Sequence, residues 1–132
     1  MKINLCDLQF KELTDRLITK RIILHHSASP DVSVTEIHRW HLARGWSGVG
    51  YHFVIRANGC IEQGRPLNII GAHAGIAGNV DSIGLCLTGN FMETAPTAAQ
   101  IESLVHLIKY LKNNYNHELA VIGHKDIVPT DC

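Results

Sequence analysis

Residues 21–26 (RIILHH), 81–89 (DSIGLCLTG) and 119–124 (LAVIGH) are apolar runs of strand length, and the chain between them alternates helical patterns with one hairpin. That interleaving confines the fold more than any other feature, because strands separated by helices pair side by side and bury both sheet faces. In SVTEIHRWHLARG, Ser33 and Glu36 have the spacing of a capping box. Ile37, Trp40 and Leu42 supply apolar positions, and Gly45 marks the stop. GYHFVIRANGCIEQG reads as a hairpin, with Asn58-Gly59 suited to a type I′ turn. TAAQIESLVHLIKYLKNNY predicts the longest helix, capped by Thr97 and Gln100, with Ile101, Leu104, Val105, Ile108 and Leu111 at helical spacing. The expectation is a single α/β domain over 1–132, with a central mixed sheet of about five strands flanked by helices.

A chain of 132 residues buries enough surface to need no disulfide support. Its four cysteines (Cys6, Cys60, Cys86, Cys132) are scattered, which suits free thiols or a metal ligand better than a disulfide framework. Cys86, inside an apolar strand, reads as core. The formal net charge is zero and no basic stripe appears, so no nucleic-acid partner is expected. No run approaches the roughly 20 apolar residues of a membrane span, so no membrane partner is expected either. Residues 1–20 lack the apolar core of a secretory signal, which leads us to expect synthesis in the cytosol.

Nine histidines are the unusual count. His25 and His26 end one strand and His124 ends another, where ligands gather in open α/β sheets. If those strands are parallel neighbours, their terminal histidines converge, and the loop containing Pro129 brings Cys132 to the same point. Two imidazoles and a thiolate suit zinc and leave a fourth position open. The plainer reading is a set of strand-end histidines that have found hydrogen bonds. Neighbours on a strand face opposite ways, so one of His25 and His26 enters such a site, and periodicity does not choose between them. On pattern alone Tyr51 packs the sheet, His52 faces the other way as a structural residue, and His38 and His41 lie on a helix surface. No carboxylate is placed as a general base: Glu36 belongs to the capping box, while Glu62 and Asp126 read as solvated charges.

The ordered set ILHHSAS, WHLARGWSGVGYHFVI, GAHAG, NVDSIGLCLTGNF, TAAQIESLVHLIKYL and GHKDIVPTDC resembles the zinc-dependent N-acetylmuramoyl-L-alanine amidases shared by phage lysozyme-type endolysins and peptidoglycan recognition proteins. The likeness runs from about residue 22 to 132, leaving 1–21 as an N-terminal segment of unassigned role. It implies His25, His124 and Cys132 as zinc ligands, and Tyr51 as a donor to the oxyanion formed when water attacks an amide. It also implies Thr130 as a second, neutral donor where many relatives carry lysine, and His73 in the substrate groove. The implied activity is hydrolysis of the amide between N-acetylmuramic acid and L-alanine in peptidoglycan, by a monomer acting on the cell wall after release or export. Two rivals accompany it: a peptidoglycan-binding module of the same fold that does not cut, and a thiol hydrolase using Cys132 and His124.

Overall fold

The computed structural model describes residues 1–124, so Thr130 and Cys132, with Asp126 and Pro129, lie outside the described residues. Six strands form one sheet: β1 (Ile3–Asn4), β2 (Arg21–His26), β3 (Phe53–Ile55), β4 (Ile61–Gln63), β5 (Ser82–Leu87) and β6 (Ala120–Gly123). Their spatial order is β1-β4-β3-β5-β2-β6, and only the β3–β4 hairpin is antiparallel. The sheet is mixed as expected, with one strand more than the expected five or so. The extra one is β1, two residues paired in parallel with β4. Two residues carry no readable periodicity.

Three helices flank the sheet: α1 (Val34–Ala43), α2 (Gly75–Asn79) and α3 (Ala98–Asn114). Alternation along the strands sorts side chains between two cores. Ile22, Phe53, Ile55, Ile83 and Leu85 pack with Leu107 and Leu111 of α3. Val54 and Cys86 pack with Val34 and Ile37 of α1 on the other face. No helix among the described residues is long and apolar enough to cross a membrane.

Local chemistry explains the helix ends. Thr97 and Gln100 form the full capping box on α3, and the Gln100 amide also donates to Ile55 O and Thr88 O. Ser33 Oγ accepts from Glu36 N at the start of α1, but the Glu36 carboxylate turns outward to Arg39 and Trp40 Nε1 instead of closing a box. Gly45, at φ 87°, ends α1 in a Schellman arrangement: its N–H reaches Leu42 O and that of Trp46 reaches His41 O.

Three local readings change. The β3–β4 turn is not type I′: Gly59 alone in it has positive φ, and its N–H donates to Arg56 O, giving a type I turn with a glycine bulge. On α3, Ile101 and Val105 are exposed, because the helix turns Gln100, Leu107 and Leu111 inward, with Leu104 and Ile108 partly covered. The N-terminal segment is integral to the fold. Beyond β1, Leu8 and Phe10 pack against the α1-side core. The Arg16 guanidinium donates to Ile69 O and Thr19, and its ion is disfavoured by burial.

Candidate active site

The shape of the site follows from the pairing of β2 with β6. The two are parallel neighbours, registered from Arg21 opposite Ala120 to Leu24 opposite Gly123. One residue further along, His25 in β2 and His124 just past β6 lie side by side, with ring centroids 4.5 Å apart. Strand alternation turns His25 and His26 to opposite faces of the sheet, although both residues line the same cleft. His25 sits beside Cys86 of β5, on the α1 side, whereas His26 sits beside Leu87, whose side chain belongs to the α3 side. His26 Nδ1 accepts from Phe91 N, and its ring packs near that phenyl group.

His25, His73, His124 and Tyr51 line one cleft of about 550 Å³, together with His41, Trp46 and the loop around α2. Tyr51, just before β3, puts its ring 5.1 Å from that of His25 and 6.5 Å from that of His73. His25 Nε2 and His73 Nδ1 are hydrogen-bonded at 2.8 Å. His73 also lies 3.3 Å from Ser82 Oγ. Its backbone N–H and that of Ala74 both donate to Asn79 Oδ1.

The electrostatics favour neutral rings. Burial, then the nearby His124 and His26, pushes the His25 pKa down to about 3. Burial and the surrounding histidines hold His73 well below its usual value, and burial lowers His124. Neutral imidazoles keep the lone pairs a metal needs, so His25 and His124 fit zinc in donor type and proximity. Among the described residues, no group of three or more His, Cys, Asp or Glu is arranged to hold a metal ion. Cys132, named from the sequence as the third ligand, and Thr130, named as a donor, lie outside them.

Several side chains occupy roles the sequence did not indicate. His38 and His41 are buried, not on a helix surface. His38 Nδ1 accepts from Val49 N while Nε2 contacts Gln9 O, and His41 Nδ1 accepts from Gly50 N. His41 then faces the cleft, edge-on to Trp46, with its pKa lowered to about 4, first by burial and then by Arg44 and Arg65. Arg44 stacks on Trp46 at the rim. Glu62 is not a solvated charge: it accepts from Val34 N at the start of α1 and pairs with Arg56. His52, read from the sequence as a structural residue, is fully buried, and its Nδ1 accepts from Gly84 N. A helix pattern or strand alternation gives no sign of cover supplied from residues 9 and 10, which is what hides His38. Gly84, a glycine inside a strand pattern, was the one available sign of a ring lying on the sheet.

Comparison with known proteins agrees with this geometry. The family model described as N-acetylmuramoyl-L-alanine amidase matches residues 15–132. The endolysin of Escherichia phage T7 is 39% identical over 133 residues, covering 94% of this chain and 84% of the phage protein. The endolysin of Klebsiella phage KP32 is 38% identical over 130 residues, covering 92% of this chain and 84% of the phage protein. Among solved structures, N-acetylmuramoyl-L-alanine amidase LysC from Clostridium intestinale URNW superposes with a TM-score of 0.95 at 35% identity, over 100% of this chain and 88% of that one. Motif order, sheet topology and cleft thus agree with a match that begins in the N-terminal segment and runs to the last residue, and the chain belongs to the N-acetylmuramoyl-L-alanine amidase family.

Proposed function

We propose that this chain hydrolyses the amide between N-acetylmuramic acid and L-alanine in bacterial peptidoglycan, using a zinc ion held by His25, His124 and Cys132. One observation carries the reading: two neutral imidazoles from adjacent parallel strands meet 4.5 Å apart, centroid to centroid, in the cleft that also holds Tyr51. Zinc bound there would supply an activated water and polarise the amide carbonyl.

The protein's own groups do the rest. His25 stands within β2 and His124 directly follows β6, so neighbouring strands of one sheet position both imidazoles. The Tyr51 hydroxyl donates toward the oxygen that gains negative charge, and one well-aimed donor is worth about 3 kcal/mol. Thr130 is a second, uncharged donor in the same proposal. His41 and Trp46 form a wall against which a sugar or peptide can lie, and the exposed Ile76 adds an apolar rim. We place its action at the cell wall, as a monomer, after release or export from the cytosol in which it is made.

The test is metal analysis of the purified protein, coupled to mass spectrometry of digested muropeptides. The expected result is about one zinc per chain and release of the stem peptide, with activity lost on chelation and restored by zinc. A zinc-loaded protein that leaves muropeptides intact refutes the hydrolase reading in favour of a binding module. Cleavage that survives chelation refutes the metal reading in favour of a thiol hydrolase.

A further inference from the structure

His73 is 8% exposed, and its ring is held more specifically than the wall of a groove requires. The direction of its hydrogen bonds follows from counting protons. Ser82 has one hydroxyl proton, and its Oγ lies 2.5 Å from Gly78 O, which can only accept. Toward His73, Ser82 Oγ is therefore the acceptor at 3.3 Å, and the His73 proton sits on Nε2. His73 Nδ1 then carries a lone pair, so His25 Nε2 must donate across the 2.8 Å contact. With its proton on Nε2, neutral His25 has its lone pair on Nδ1. The bonds run one way, from His25 through His73 and Ser82 to the carbonyl of Gly78.

We propose that His73 is a positioning residue that locks His25 into its Nε2–H tautomer and thereby presents His25 Nδ1 to the metal. The role rests on the zinc centre proposed above. It differs from substrate binding: both ring nitrogens of His73 are engaged with protein groups, leaving its ring edge to the cleft. Backbone and ring are anchored separately. Asn79 holds the backbone of His73, and the bare main chain of Gly84 seats the ring, since a Cβ there would lie 2.6 Å from His73 Cδ2. Partners of this kind fix ligand orientation, and removing one costs 10- to 100-fold in metal affinity in general.

Two measurements test it. Long-range ¹H–¹⁵N NMR of the metal-free protein reads ring protonation directly. Nε2–H tautomers are expected at both His25 and His73, and an Nδ1–H tautomer at His25 overturns the proposal. Competition against a chromophoric chelator then compares variants. His73→Leu should bind zinc about 10- to 100-fold more weakly. His73→Asn, which keeps an acceptor near the Nδ1 position, should recover part of that loss. A folded Leu variant with wild-type affinity overturns this role alone, whereas a wild-type protein that binds no zinc overturns the metal centre and this role together. The NMR measurement needs no variant, so refutation stays within reach if His73→Leu does not fold.

Discussion

Gly84→Ala adds one methyl group at the middle of β5. Two opposed effects follow, and their sizes decide the outcome. Alanine restricts the unfolded chain and suits a strand better than glycine, a gain of roughly 0.5–1 kcal/mol. Against it, the new Cβ would stand 2.6, 2.7 and 2.8 Å from Cδ2, Cγ and Nε2 of His73, where ordinary contact begins near 3.4 Å. The ring would have to retreat by about 0.8 Å. Gly71 leaves it little freedom, since a Cβ there would approach the same Cδ2 to 2.5 Å. A retreat of that size can stretch the 2.8 Å His25–His73 bond to about 3.6 Å, beyond hydrogen-bonding range. Overpacking of this kind costs about 1–3 kcal/mol, so the steric term outweighs the backbone gain. The expected result is a net loss of about 1–2 kcal/mol in urea unfolding of the metal-free protein, with weaker zinc binding in the chelator competition. A variant more stable than wild type that binds zinc equally well would refute the seating of His73 on Gly84, and with it the reason for a glycine there.

Three further outcomes are expected. Tyr51→Phe should lower kcat about 10²- to 10³-fold with zinc content unchanged, and turnover at the wild-type rate would remove the phenol from the chemistry. His52→Leu leaves the Gly84 N–H without its acceptor, while Ile69 O keeps Arg16 as donor; urea unfolding should show a loss of about 1–3 kcal/mol, and an unmoved midpoint contradicts this. Arg56, with help from Thr88 and Ala57, holds the Asp31 carboxyl down from 3.8 to about 2. Because the folded value lies below the unfolded one, this stabilisation is present above about pH 4 and fades as pH falls toward 2; the side chain is 40% exposed, so screening leaves about 1 kcal/mol. Asp31→Asn should flatten the stability profile in that window, and an unaltered profile would show the pair contributes nothing.

Much of the fold was legible because it is written in local patterns. RIILHH, DSIGLCLTG and LAVIGH became β2, β5 and β6, and the Thr97–Gln100 box starts α3 as read. What escaped depends on distant partners. Ile101 and Val105 share the helical spacing of Leu104 and Leu111, yet the sheet covers only one side of α3, and spacing alone does not say which side. His38 looks solvated from its helix, but Gln9 and Phe10 arrive from the N-terminal segment to cover it. The choice of His25 over His26 came from the likeness to the amidase family, not from strand pattern. In three dimensions the register of β2 on β5 puts His25 on the face of Cys86 and His26 on that of Leu87, although both residues line the cleft.

The buried histidines divide by what their rings bond. His26, His38, His41 and His52 each accept a main-chain N–H, from Phe91, Val49, Gly50 and Gly84 in turn, so these imidazoles act as braces between segments. His25 and His73 are instead bonded to one another, at the cleft. A ring that braces the backbone has its acceptor nitrogen occupied and cannot offer that atom to a metal. A neutral ring that donates one N–H to a second imidazole carries its acceptor lone pair on the other nitrogen. Histidine count alone therefore says little about chemistry in such a chain. The informative sign is the glycine at position 84, in the middle of SIGLCL, because an imidazole can lie flat against a strand only where no side chain stands.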